Sequence, residues 1–87
     1  MIKNKIVITS ALRTAVGSLS KSLKNTPAEV LGAEVIANVI KKSKLKPNDI
    51  DEIIMGQVLT GGSGQNPARQ AAIKSGVPKE KPAYIVN

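Results

Sequence analysis

The stretch Gly61-Gly62-Ser63-Gly64-Gln65-Asn66-Pro67 has the spacing most suggestive of chemistry. Glycine-rich backbone leading into a helix can point free amides at an anion, and the helix start adds positive potential. The stretch is not a Walker A loop, because no Gly-Lys-Ser/Thr follows. It is not a dinucleotide fingerprint either: Pro67 takes the third glycine position, and no acidic residue stands about 20 positions further on. The favoured reading is therefore a strand-to-helix loop that uses glycine conformations, with a phosphate cradle as the lesser one. Arg69 stands on the first turn of the helix that follows, where a cation opposes the helix dipole. A side chain placed against that preference implies a partner such as a carboxylate or backbone carbonyls, at an interface or in a buried pairing. A plain exposed arginine is the alternative. Asp49, Asp51 and Glu52 are close in sequence, but turn and capping roles account for them better than a metal or acid–base site.

Cysteine and histidine are both absent from the 87 residues. No disulfide framework and no Cys- or His-ligated metal site can be built from this chain, nor can a Cys–His nucleophile. No metal is expected. The formal charge of +7 invites a polyanion reading, yet the lysines are scattered and only KKSKLK at 41–46 is dense. That run has no aromatic for base stacking, and Arg13 and Arg69 are the only arginines. Nucleic acid is therefore not an expected partner. Met1-Ile2-Lys3-Asn4-Lys5 looks like a charged leader start, but the apolar stretch after it is too short for a signal core. No run approaches the roughly 18 apolar residues of a membrane span, and a cytoplasmic chain is expected.

These groups must be positioned by a small α/β framework. Lys5–Ser10 is β-branched and apolar and predicts a strand over about 5–10. Residues 11–25 have loop composition. Thr26-Pro27-Ala28-Glu29 reads as a capping box opening a helix over about 27–44. Leu31, Val35, Ile36, Val39 and Ile40 form its apolar stripe, and Gly32, Ala33 and Ala37 allow close packing. Lysines crowd its C-terminus, and Pro47 blocks continuation. A second strand is expected over about 52–59. Asn66 and Pro67 start a second helix over about 67–75, and Gly76 stops it. After the turn signal Glu80-Lys81-Pro82, a third strand is expected over 83–87. The order β-α-β-α-β implies a mostly parallel sheet with covering helices, a portion of a larger doubly wound sheet. In such sheets ligands gather beyond the carboxyl ends of the strands, where Arg13, the 61–66 loop and the end of the last strand would meet.

Val7–Gly17, with its Arg13-Thr14-Ala15-Val16-Gly17 segment, resembles the opening of the thiolase family. Glu52–Leu59 and Gly64-Gln65-Asn66-Pro67-Ala68-Arg69-Gln70-Ala71-Ala72 resemble the next two thiolase segments, and Pro82–Asn87 resembles the approach to the catalytic cysteine. The likeness runs in order through essentially the whole chain. It implies an incomplete N-terminal thiolase domain over 1–87, roughly the first fifth of an acetyl-CoA acetyltransferase-like subunit. In the family the last strand is followed by a Cys-Gly/Ala-Ser-Gly segment whose cysteine accepts an acyl group. A later histidine activates that cysteine, and a later second cysteine moves the proton for the Claisen step.

The resemblance thus implies coenzyme A thioesters as substrates of the whole enzyme, with no cofactor and no catalytic residue in this chain. The implied partners are the remainder of the polypeptide and further subunits, as a dimer or tetramer. Gln65, Asn66 and Arg69, with Tyr84, Ile85, Val86 and Asn87 on the strand that delivers the nucleophile, are the implied dimer-interface candidates. A longer-chain 3-ketoacyl-CoA thiolase is the nearest alternative, and a free-standing small basic α/β polyanion-binding module is the rival from another class. If the chain is a thiolase segment, its structure should show either a companion polypeptide or an uncovered sheet edge and apolar face.

Overall fold

The computed structural model describes residues 4–87; the basic start Met1-Ile2-Lys3, weighed above as a leader, lies outside them. The first regular element is helix α1, Ala28–Lys42. A single 3-10 turn, Pro47–Asp49, leads to strand β1, Ile53–Gly56. Helix α2, Pro67–Lys74, and strand β2, Ala83–Val86, follow. β1 and β2 pair in parallel, with Ile53 opposite Ala83 and Gly56 opposite Val86. The connection between them runs through α2, as the crossover rule requires for neighbouring parallel strands.

One expected element is not formed. The strand predicted over 5–10 has no ladder partner, and the described sheet has two strands, not three. The segment is strand-like in composition only. A strand needs a neighbour for its amides and carbonyls, and Ile6 and Ile8 are instead 103% and 89% exposed. The segment lies against the end of α1, where Ser10 Oγ donates to the Val39 carbonyl at 3.0 Å and lies 2.7 Å from Ser43 Oγ. The molecule extends over 51 × 25 × 23 Å. Its 14.2 Å radius of gyration exceeds the roughly 12 Å of a compact chain this long. The second strand is also shorter than the predicted 52–59, because its hydrogen bonds to β2 end at Gln57, whose amide donates to the Val86 carbonyl.

The start of α1 differs as well. Pro27 is the extended cap residue and no side chain caps the helix, so the Thr26–Glu29 capping box is not made. The Pro27 carbonyl instead takes the amides of Val30 and Leu31. The C-terminus closes with a Schellman motif: Leu45 N–H donates to Ile40 and Lys44 N–H to Lys41, with Lys44 at φ 60°. Gly76 does the same for α2 at φ 96°, its amide on Ile73 and that of Val77 on Ala72. There the sequence supplies the glycine that the left-handed turn favours.

The core lies between the helices and one face of the sheet. Ala33, Ile36 and Ile40 of α1 meet Ala71, Ala72 and Val77, with Ile53, Met55 and Ala83 beneath. The helices approach closely because the residues between them are small. A Cβ on Gly32 would come within 2.9 Å of Met55 Cε and 3.3 Å of Ala71 Cβ. The other face of the sheet is apolar and open: Ile54, Tyr84 and Val86 are each about half exposed. An uncovered apolar face beside an unpaired strand edge is an association surface. Expressed alone, the 87-residue chain should therefore bind a hydrophobic dye such as ANS and sediment above monomer mass. Ile54→Lys with Val86→Lys should reduce both. A monomeric, dye-silent chain in analytical ultracentrifugation would contradict this account of the open face.

Candidate functional site

The loop between β1 and α2 is braced from inside. Gly62 and Gly64 both sit at φ +77°, the left-handed conformation that made glycine the expected residue. Gln57 Nε2 donates to the Leu59 carbonyl at 3.0 Å and to Ser63 Oγ at 3.3 Å. From the other side Gln70 Nε2 donates to the carbonyls of Ser63 and Gln65, each at 2.8 Å. A Cβ on Gly64 would lie 3.1 Å from that amide nitrogen, so the glycine also makes room for the brace.

The helix start the loop reaches is closed to an anion. Asn66 caps α2 as expected: its Oδ1 accepts from Arg69 N–H at 3.1 Å, and its main-chain carbonyl accepts from Gln70 N–H. Pro67 has no amide proton, and Pro67 and Ala68 are buried. Of the first four helical residues, Ala68 alone has an amide outside these bonds. At the helix start, the structural reading of Asn66 and Pro67 therefore holds.

Arg69 does have the carbonyl partners that its unfavourable place on the helix implied. Its Nη1 donates to the Lys81 carbonyl at 3.0 Å and its Nη2 to the Lys79 carbonyl at 2.6 Å. Asn66 Nδ2 adds a bond to the Ala83 carbonyl at 3.0 Å. Three carbonyls at the entry to β2 are therefore held from the first turn of α2. The guanidinium is directed into the chain's own connector. Gln65, also read as an interface candidate, is exposed and contributes its carbonyl to Gln70. Tyr84 and Val86 stand on the open sheet face, Ile85 is half-buried on the inner face, and Asn87 is exposed just past the strand.

The end of β2 and the glycine loop are brought together through Gln57, whose main-chain amide holds Val86 while its side chain holds the loop. Beside them, at the carboxyl edge of the sheet, is a small cavity of about 90 Å³ bounded by Glu29, Met55, Gln57 and Ala68. Arg13 does not join this cluster. It lines a separate groove of about 220 Å³ with Thr14, Glu34 and Asn38 of the α1 side, and its Nη1 donates to the neighbouring Thr14 carbonyl. Asp49 serves as a cap, its Oδ2 accepting from Lys46 N–H at 2.9 Å. Among the described residues no acidic cluster could hold a metal. Sequence reasoning missed Gln57 and Gln70. Their signal was positional: a long amide side chain on each flank of a glycine loop whose carbonyls need donors.

A braced glycine loop, a capped helix and a short parallel strand ending at an open sheet edge form a small parallel α/β framework. Residues 6–87 match the family described as "Thiolase, N-terminal domain", and the chain belongs to the thiolase family. It is 56% identical over 82 residues to an acetyl-CoA acetyltransferase of Cupriavidus necator, covering 94% of this chain and 21% of that one. An acetyl-CoA acetyltransferase of Rhizobium meliloti is 51% identical over 87 residues, 100% of this chain and 22% of the relative. A probable acetyl-CoA acyltransferase of Staphylococcus aureus is 47% identical over 83 residues, 95% of this chain and 21% of the relative. The fold is similar to the Acat5 thiolase of Ascaris suum solved with coenzyme A. The TM-score is 0.79 at 40% identity, over 80% of this chain and 18% of that chain. The chain spans about a fifth of the length of the curated relatives it matches.

Asn66→Ala removes both the cap and the bond to Ala83. In the whole polypeptide it should cost about 1 kcal/mol or more in denaturant unfolding, at the usual scale for a lost cap. A midpoint unchanged within error would show that the cap carries no stability.

Proposed function

We propose that this chain is the amino-terminal part of an acetyl-CoA acetyltransferase-type thiolase. The whole enzyme condenses two acetyl-CoA to acetoacetyl-CoA, or runs the reverse cleavage, through an acyl group held on cysteine. The likeness to acetyl-CoA acetyltransferases at 51–56% identity across nearly the entire chain supports this reading most strongly. In the cleavage direction a cysteine thiolate bonds to the keto carbon of acetoacetyl-CoA. The bond from that carbon to the α-carbon then breaks, and the α-carbon takes a proton and leaves as acetyl-CoA. The thiol of a second coenzyme A then accepts the acyl group, returning the cysteine.

This segment supplies scaffold, not reacting groups. Its role is to build the inner part of the sheet and to lead β2 to the nucleophile that follows Asn87. A helix start beyond that strand would favour the thiolate. The substrates are coenzyme A thioesters, and no cofactor is assigned to this chain. Its partners are the rest of the polypeptide, covering the open face of Ile54, Tyr84 and Val86, and further subunits in a cytoplasmic dimer or tetramer. Gln65, Asn66, Arg69 and Tyr84–Asn87 are the interface candidates, the side chains of Asn66 and Arg69 being also engaged within the chain. The open apolar face argues against a free-standing polyanion-binding module.

The test is to read and express the complete reading frame. A cysteine in a Cys-Gly/Ala-Ser-Gly setting is expected within a few residues of Asn87. The purified protein should consume acetoacetyl-CoA in the presence of coenzyme A, and replacing that cysteine by alanine should abolish turnover. A frame without the cysteine, or a wild-type protein inert toward acetoacetyl-CoA and longer 3-ketoacyl-CoA alike, would sink the proposal. Turnover of the longer substrates alone would move it to the long-chain thiolases.

A further inference from the structure

β1 and β2 are each four residues long, and neither strand has a polar face. β1 reads Ile-Ile-Met-Gly and β2 reads Ala-Tyr-Ile-Val. Ile53, Met55 and Ala83 pack inward, while Ile54, Tyr84 and Val86 face outward and are equally apolar. In most sheets a one-residue slip is forbidden because it would bury polar side chains and expose apolar ones. A ladder apolar on both faces has no such penalty and is weakly specified by its own pattern. Something other than hydrophobic alternation must therefore set where β2 begins.

The first turn of α2 supplies it. The Arg69 guanidinium holds the carbonyls of Lys79 and Lys81, and the Asn66 amide holds that of Ala83, the first residue of β2. Asn66 Oδ1 is itself fixed on the Arg69 amide, so the two side chains act from one rigid helix start. That start is anchored in the core by Ala68 and by Ala71, which is 0% exposed. These bonds are specific to main-chain positions, so a slipped β2 would lose all three.

We infer that Asn66 and Arg69 are positioning residues: together they set the axial register of β2 and so the placement of the reactive residue delivered beyond Asn87. This rests on the thiolase reading given above for the chemistry, but on the geometry alone for the register. It assigns both side chains a role inside the subunit, where the family resemblance had suggested contacts between subunits.

The test uses the full-length enzyme with Arg69→Met, Arg69→Lys and Asn66→Asp. The last retains the cap acceptor but cannot donate to Ala83. Hydrogen exchange is read across residues 79–87, with kcat and KM for acetoacetyl-CoA, the rate of iodoacetamide alkylation of the nucleophilic cysteine, and the oligomer mass. Arg69→Met should lower amide protection of β2 about ten-fold while leaving α1 unchanged. It should lower kcat and the alkylation rate about ten-fold together, with KM within about two-fold and oligomer mass unaltered. Arg69→Lys, able to reach one carbonyl, should recover part of each loss, and Asn66→Asp should fall between. Unchanged protection of β2 would overturn the inference. So would dissociation or failure to fold of Arg69→Met with the other two variants at wild-type values, which would return Arg69 to an interface or purely structural role. An inert wild type would refute the thiolase reading alone, leaving the exchange data to decide the register.

Discussion

The constraint on which the rest of this structure depends is the close approach of α1 to α2 and β1 at Gly32. With almost no aromatic residues, the chain cannot fill a wide core. It closes a narrow one by bringing helices together over Gly32, Ala33, Ala68, Ala71 and Ala72. Each of these residues contributes little apolar area, so the stabilisation comes from packing density and not from large side chains. Such a core leaves little room at the contact, because even a Cβ on Gly32 would press on Met55 and Ala71. The fixed position of α2 makes its first turn a reliable platform, and the polar contacts of Asn66, Arg69 and Gln70 all start from it.

Those contacts brace a loop rich in glycine from both flanks. Glycines at positive φ give the path between β1 and α2, but they add conformational freedom to the unfolded chain. Gln57 and Gln70 offset this by donating to four main-chain or hydroxyl acceptors within the loop. The same amide donors answer the requirement that loop carbonyls be paired near a core. The glycine loop weighed as an anion cradle thus has its carbonyls held by side chains on either flank. An anion would engage the loop's N–H groups while these side chains pair its carbonyls, and composition does not say which groups are engaged.

Much of the framework was legible in the residues. Asn66-Pro67 and Gly76 marked both ends of α2, because capping and the left-handed stop depend on the local residue alone. The apolar stripe of α1 and the parallel sense of the sheet, with strands read at about 52–59 and 83–87, also followed from periodicity and the crossover rule. Three features were not legible, each for a physical reason. Lys5–Ser10 has strand composition, but strand formation depends on a partner that propensity does not report. The Thr26–Glu29 pattern was present while the backbone took its first turn from Pro27. Lys44 adopts a left-handed conformation that its side chain disfavours, held by the Schellman bonds to Ile40 and Lys41. At the site, the position of Arg69 left a partnered and a plain exposed side chain both open, and did not reveal that its partners are carbonyls ten and twelve residues further along its own chain.

The division of labour follows from these facts. The open face of Ile54, Tyr84 and Val86 is an apolar surface suited to burial against further protein, so the two-stranded sheet is best understood as the interior of something larger. Interior strands of parallel sheets are apolar on both faces because both faces are covered. That composition gives burial energy but discards the alternation that would otherwise hold register. Polar anchoring from a neighbouring helix is then the compensating device, and it belongs where register matters most. In open parallel sheets ligands gather at the carboxyl edge, so register matters most for a strand that ends there. The arrangement here, one arginine and one asparagine on the entry to β2, satisfies that requirement with two side chains and a helix cap.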